Sequence, residues 1–423
     1  MGEILDKALG MARETRRRNV ACRQRSAGQA ELNPRPRRIS VLGATGSVGL
    51  STLDLIARDS ADWQVVALTA HRNVAELAAL ARKHRAELAV IGDPRLYGEL
   101  KERLAGTGIA AAAGEPALIE AAGRRADIVM AAIVGAAGLK PTLAAVRQGT
   151  RIALANKECL VSAGPVFLAA LEASGAQLLP VDSEHSAAFQ ALDGTAPERI
   201  EKIVLTASGG PFRNWSEAEL AKATPEQAIK HPNWSMGPKI SVDSATLMNK
   251  GLEIIEAYHL FPVEAGQLEV VVHPQSVVHA MVVYTDGSVL AQLGCPDMRT
   301  PIAYSLAWPG RMAAPVERLD LVKMGTLSFE APDLIRFPAL RLARESLDRG
   351  GAAPTVLNAA NEEAVASFLS RNLGFLEIAQ VVEETLNQCE RAGMLAEPET
   401  LDAVLDVDAA AREVARSLLR SAI

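Results

Sequence analysis

Two acids stand one residue apart where an apolar run meets polar sequence. Ala176 to Val181 is followed by Asp182, Ser183, Glu184 and His185, with no Lys or Arg beside them. If the run is a strand, side chains two residues apart point the same way, so Asp182 and Glu184 face one cavity at its carboxyl end. Two bare carboxylates repel, and one takes up a proton unless a cation lies between them. An oxygen-only pair without cysteine selects a hard divalent ion, Mg²⁺ or Mn²⁺. The plain structural alternative is a capping Asp beside a solvated Glu. A third carboxylate comes from SVDSATLMNKGLEIIEAYHLF, Ser241 to Phe261, where Asp243 or Ser244 can cap a helix and Asn249, Lys250, Glu253 and Glu256 recur at helical intervals. An ion pair on an ordinary amphipathic helix accounts for Lys250 and Glu253. It does not account for the polar run Ser241, Asp243, Ser244, Thr246 and Asn249. Hydroxyls, an amide and a lysine at a helix start suit a phosphate.

Two further stretches belong with these. LTASGGPF (205–212) sets Ser208 before Gly209 and Gly210, a strand end opening into an anion nest. HPNWSMGPK (231–239) places His231, Trp234 and Met236 among Pro and Gly. It reads as a lid over a ligand, or equally as a loop whose indole folds into the core.

A second chemistry is written near the start. The run RISVLG leads into GATGSVG, Gly43 to Gly49, and then into a helical stretch. A glycine turn between strand and helix lets backbone N–H groups approach a pyrophosphate. The spacing G-x-x-G-x-x-G is looser than the strict dinucleotide fingerprint, so its βαβ context carries the assignment. The next apolar run ends in Leu68-Thr-Ala-His-Arg-Asn73, with a cation at Arg72 and no acid. An NAD site wants an acid there for the ribose hydroxyl. A cation suits the 2′-phosphate of NADPH, unless Arg72 is simply exposed.

These residues need a frame. Short runs apolar on both faces (38–43, 63–70, 87–93, 127–135, 151–156, 176–182) alternate with Ala- and Leu-rich helical segments, the pattern of a doubly wound parallel sheet. After Asp182 the rhythm changes to β-rich runs with a helix near 244–259 and a hairpin signal at Tyr284-Thr-Asp-Gly287, which suggests an antiparallel α+β region. Residues 308–333 read as a Pro/Gly-punctuated linker. Residues 334–423 read as a helical bundle, with Asp408 as a cap and Ala411, Val414, Ala415 and Leu418 on one face. The expected organisation is an extension over 1–37, a Rossmann-like NADPH domain over 38–182, a catalytic, metal-binding and dimerisation region over 183–307 with its flap at 231–239, the linker, and the bundle.

With 423 residues and a net charge of −6, the chain can bury a large core and has no overall bias toward nucleic acid or an anionic membrane. Its four cysteines, Cys22, Cys159, Cys295 and Cys389, are too dispersed for a zinc knuckle or a disulfide framework, which points to a reducing compartment such as the cytoplasm. Met1 to Arg38 holds ten Lys/Arg against four Asp/Glu. It reads as a disordered or additional extension, with targeting or a basic contact arm as the alternative.

The motifs GATGSVG, MAAIVGAAGL, LANKE, PVDSEH, SGGPF, HPNWSMG, KISVDSATLMNKGLE, HPQSVVH, LGCPDMRTPIAYSLAWP and LNAANE together resemble the 1-deoxy-D-xylulose 5-phosphate reductoisomerase family, from Arg38 to the C-terminus. The resemblance implies an NADPH- and metal-dependent homodimer that rearranges the carbon skeleton of the deoxyxylulose phosphate and reduces the resulting aldehyde to 2-C-methyl-D-erythritol 4-phosphate. Asp182, Glu184 and Glu253 would be the metal ligands. Ser208, Ser244, Asn249 and Lys250 would hold the phosphate, and Ser183, Lys157 and His231 the carbon backbone. Trp234 and Met236 would ride on the flap. Thr45, Gly46, Ser47, Val48, His71, Arg72, Asn73, Asn156, Glu158, Gly237 and Met298 would contact NADPH. The family's usual Gly-Lys-Asn after the second strand is His71-Arg72-Asn73 here, and Cys159 and Cys295 stand where Ser and Glu are commoner. The rivals are a semialdehyde or sugar-acid dehydrogenase with the same nucleotide domain, of which the semialdehyde type needs a nucleophilic cysteine with a histidine, and an NADPH-sensing regulator, which has no need of three carboxylates.

Overall fold

The structure is a computed structural model that describes residues 36–192, 196–234 and 236–421. The expected extension over 1–37, apart from its last two residues, lies outside the described residues.

Seven strands make the first sheet: β1 (Arg37–Leu42), β2 (Trp63–Ala70), β3 (Leu88–Ile91), β4 (Ala110–Ala113), β5 (Ile128–Ala131), β6 (Arg151–Leu154) and β7 (Gln177–Pro180). Their order is β4-β3-β2-β1-β5-β6-β7 and every pairing is parallel. Alternate residues feed two different cores. Val129, Ala131, Ile152 and Leu154 pack into one cluster, and Ile128, Met130 and Ala153 into the other. That double burial is why the runs are apolar on both faces, and the expected doubly wound sheet is present. One strand was missed: β4 is four alanines, with none of the branched or aromatic residues that mark a strand. The sheet winds outward from β1 in both directions, so the crevice between the carboxyl ends of β1 and β5 is the switch point where such sheets bind ligands.

A second sheet holds β8 (Ile200–Ala207), β9 (Leu268–Val272), β10 (Val278–Tyr284) and β11 (Val289–Leu293) in the order β11-β10-β8-β9. The hairpin expected at Tyr284–Gly287 joins β10 to β11. The region is not purely antiparallel, however, because β9 runs parallel to β8. Periodicity along one strand carries no information about the direction of its partner.

The helical stretch expected near 244–259 is two helices, Pro238–Thr246 and Met248–Leu260, broken where Leu247 takes a left-handed φ of 64°. Asp243 and Ser244 therefore lie inside the first helix and cap neither. Four helices finish the chain, Ala339–Arg349, Ala353–Leu369, Glu377–Arg391 and Leu401–Ser421. Asp408 is in the middle of the last one, where it pairs with Arg412 at 2.7 Å instead of capping. No described helix is long and apolar enough to cross a membrane.

Candidate active site

A cavity of about 450 Å³ opens between the two sheets. The first sheet contributes Ser47, Val48 and Lys157, and the loop after β7 gives Asp182, Ser183 and Glu184. Ser208 comes from the end of β8. His231, Trp234, Met236 and Gly237 come from the flap, and Ser244, Asn249, Lys250 and Glu253 from the broken helix pair. Met298 closes the rim.

Asp182 and Glu184 do converge, though not by strand alternation. β7 stops at Pro180, Asp182 is the N-cap of helix Ser183–Ala191, and Glu184 lies in its first turn. Glu253 arrives from the middle of helix Met248–Leu260. Carboxylate oxygens of the three lie within 4.8 Å of one another. Sequence alone left the pair without a cation, and the fold supplies two. The Lys157 Nζ lies 2.7 Å from Asp182 Oδ2 and 3.1 Å from Glu253 Oε1. The Lys250 Nζ lies 2.9 Å from Glu184 Oε1 and also contacts Glu253.

Three carboxylates against two ammonium groups leave the cluster short of positive charge, and the titration reflects it. Burial alone would raise the Asp182 carboxyl, but Lys157 overcomes it and holds Asp182 below the usual carboxylate range. Burial and the neighbouring Glu253 charge push Glu184 up to about 7. A hard divalent cation fits this donor set: all-oxygen, gathered at one point, and with one member driven toward protonation without it. A second grouping, Asp182 with His185 and Glu256, is spoken for. Burial works against the His185 charge but Glu256, 3.1 Å away, pushes its pKa up to about 9, and His185 Nε2 donates to the Glu253 carbonyl at 2.9 Å. This buried pair braces the backbone of Glu253.

The flap is tied to the anion nest. Backbone N–H groups of Asn233 and Trp234 donate to His231 Nδ1 at 3.1 and 3.0 Å, which leaves the hydrogen on Nε2 and directs it to Ser208 Oγ at 2.8 Å. Burial keeps the ring neutral, with a pKa pushed down to about 4. Ser208 Oγ also accepts from Gly210 N at 3.1 Å, so its own hydroxyl hydrogen is free for an anion. Asn233 Nδ2 donates to the Pro274 carbonyl at 2.7 Å and pins the loop further.

The remaining expected residues stand apart from the cavity wall. Gly43, at φ 83°, comes so close to β5 that a Cβ there would lie 2.5 Å from the Ala132 carbonyl oxygen, and a Cβ on Gly49 would clash with Gly43 and Ala44. Thr45 and Gly46 occupy this turn at the switch point, the cradle a pyrophosphate needs. Asn73 caps helix Val74–Lys83, with its side chain accepting from Glu76 N at 3.3 Å. Arg72 is exposed and does have an acid beside it, Asp93 from the end of β3, at 3.1 Å. His71 packs on Gly92. The Asn156 side chain is saturated by backbone, donating to Gly135 O at 3.0 Å and accepting from Cys159 N at 3.1 Å, and the buried Glu158 faces Lys239. Sequence reasoning overlooked Ser276, His279, Asp297 and Arg299, which also line the cavity. His279 sits inside a strand-like run that concealed it. Asp297 and Arg299 bracket Met298 as a ready-made pair at 2.6 Å, a signal that LGCPDMR did carry.

Three family models match in succession: 1-deoxy-D-xylulose 5-phosphate reductoisomerase over residues 39–164, its C-terminal domain over 178–261, and the DXP reductoisomerase C-terminal domain over 293–414. The chain belongs to the 1-deoxy-D-xylulose 5-phosphate reductoisomerase family. Its relatives include the reductoisomerase of Zymomonas mobilis, 57% identical over 91% of this chain and 98% of the relative, and that of Rhodospirillum centenum, 59% identical over 90% and 94%. Among solved reductoisomerases, the Zymomonas mobilis enzyme in complex with NADPH superposes with a TM-score of 0.86 at 56% identity, covering 92% of this chain and all of that one. A reductoisomerase in complex with NADPH, fosmidomycin and magnesium gives 0.88 at 44% identity, covering 91% and 98%.

Proposed function

We propose that this chain is the NADPH-dependent, divalent-metal-dependent enzyme that rearranges and reduces 1-deoxy-D-xylulose 5-phosphate to 2-C-methyl-D-erythritol 4-phosphate in isoprenoid precursor synthesis. One observation carries it beyond family membership: three carboxylates from two distant segments meet in the same cavity as the glycine-loop residues Ser47 and Val48.

Asp182, Glu184 and Glu253 would hold Mg²⁺ or Mn²⁺, which when bound supplies a Lewis acid and a template for the substrate's carbonyl and hydroxyl oxygens. The turn Thr45 to Val48, with Gly237 and Met298 across the cavity, would hold NADPH, the source of the hydride. Asn73 and Asn156 shape that side by fixing backbone and Glu158 by pairing with Lys239, and Arg72 with His71 would meet the 2′-phosphate. Lys157, fixed between Asp182, Asn249 (2.8 Å) and Glu253, presents an ammonium group where negative charge develops on substrate oxygen. Ser208, Ser244 and Asn249 grip the phosphate. Lys250 joins them once Glu184 and Glu253 are otherwise engaged. Ser183 and His231 orient the hydroxyls, and Trp234 and Met236 exclude water from the aldehyde.

The same reading makes the chain a homodimer, supported by the apolar outer strand β11, where Val289 and Leu290 are 53% and 43% exposed at a sheet edge. A cytoplasmic setting is supported by Cys159, Cys295 and Cys389, all free thiols. The division at 182 is supported by the separate sheets and that at 333 by the four closing helices, whereas helix Arg299–Ala307, just before 307, packs its Ile302, Ala303 and Leu306 into the core of the first sheet.

The deciding experiment follows NADPH oxidation with the deoxyxylulose phosphate before and after EDTA. Turnover that EDTA abolishes and Mg²⁺ or Mn²⁺ restores is expected. Absence of turnover with metal present, or indifference to EDTA, would overturn the reading.

A further inference from the structure

A partly buried ion cluster lies at the foot of the flap, outside the cavity wall. Its centre is Lys239, in the first turn of helix Pro238–Thr246, two residues after Gly237. A cation there faces the positive end of the helix dipole, an unfavourable place unless acids hold it. Here its ammonium lies 2.9 Å from Asp243, one turn on, and 3.6 Å from Glu158, both buried. Burial lowers the basicity of Lys239, and the Asp243, Glu158 and Glu362 carboxylates more than restore it, so the group is charged. Each acid is anchored elsewhere. Asp243 Oδ1 accepts from Asn361 Nδ2 of helix Ala353–Leu369 at 2.8 Å, and Glu362 pairs with Arg412 of the last helix at 2.7 Å. Glu158 follows Lys157, the ammonium that holds Asp182 and Glu253.

The two ends of the flap are thus secured differently. His231 and Asn233 hold the first end to Ser208 and Pro274 by hydrogen bonds. At the other end Ser241 Oγ donates to the Gly237 carbonyl at 3.0 Å, and the Lys239 ion pairs tie that helix start to Glu158 and Asp243. We propose that Lys239 is a positioning residue for flap closure: its ammonium fixes the far end of the flap to the turn that carries Lys157, so flap and Lys157 stay in register over the substrate. A flap loose at one end spends more conformational entropy at each binding event, and substrate affinity bears that cost. The inference rests on His231, Trp234 and Met236 of the flap covering the substrate.

The test compares Lys239→Met, Lys239→Gln and Lys239→Arg in the full chain with Mg²⁺ and NADPH. Met and Gln are expected to raise the substrate KM about tenfold with kcat within about threefold, and Arg is expected to recover most of the KM. A KM within about twofold of the unaltered chain in folded Lys239→Met overturns the proposal; if that variant does not fold, Lys239→Gln is held to the same criterion. A raised KM that Arg leaves unrescued in a folded variant also overturns it, since a positioning charge is what Arg restores. Trp234→Ala is the control: an unchanged KM there sinks the flap reading itself, whereas an altered one with Lys239→Met unaffected sinks only the role of Lys239.

Discussion

Glu253 is the residue on which the most depends. It is almost fully buried, it touches both ammonium groups, and its backbone is braced by His185. Glu253→Gln keeps the shape and removes the charge, so turnover should fall roughly a hundredfold while NADPH, on the other side of the cavity, binds within about threefold of normal. Steady-state kinetics with a separate NADPH titration decides it; turnover near normal would take Glu253 out of the metal site. Lys250→Ala removes a charge-assisted grip of about 2 kcal/mol, which should appear chiefly as a roughly thirtyfold rise in substrate KM. His279 makes a prediction about pH. Burial pushes its pKa from 6.5 down to about 4. Between those values the unfolded chain binds a proton that the folded chain refuses, so stability is complete above 6.5 and is lost as the pH falls toward 4, by roughly 3 kcal/mol. His231 adds a contribution of the same sign. The thermal midpoint of His279→Gln should therefore decline less over that interval than that of the unaltered chain, and identical slopes would refute the account.

At the scale of elements, the phosphate grip depends on a close approach of two backbones. Gly210, at φ 68°, comes so near helix Pro238–Thr246 that a Cβ would lie 2.8 Å from the Ser244 carbonyl oxygen. Gly210→Ala must therefore push apart the segments carrying Ser208 and Ser244. It should destabilise the fold by about 1–3 kcal/mol and raise the substrate KM, measurable by denaturant unfolding and kinetics. The glycine was legible as part of a nest, but its partner was not, because the break at Leu247 that turns Ser244 and Asn249 into one cavity has no glycine or proline to announce it. A similar limit applies to Arg72. Its charge after the second strand was readable, but the Asp93 beside it comes from the third strand, too far along the chain for pattern reasoning to pair. Arg72→Ala should narrow the preference for NADPH over NADH, and an unchanged ratio of the two kcat/KM values would clear Arg72 of the 2′-phosphate role.

At the scale of the molecule, a sheet edge with exposed Val289 and Leu290 invites a second copy. Leu290→Lys should shift the chain toward monomer in light scattering; an unaltered mass would place any dimer contact elsewhere. The doubly wound sheet, the glycine turn, the hairpin and the acids themselves could all be read from the chain, because each follows from local periodicity or from residue chemistry that neighbours do not alter. Only the tertiary structure decided that Asp182 and Glu184 converge through a helix start rather than a strand, that Lys157 and Lys250 neutralise them, and that Asn156 and Asp408 spend their side chains on the fold. Those outcomes depend on contacts between residues far apart in sequence, and the energy of a buried charge is set by the partners that packing brings to it, which no local pattern records.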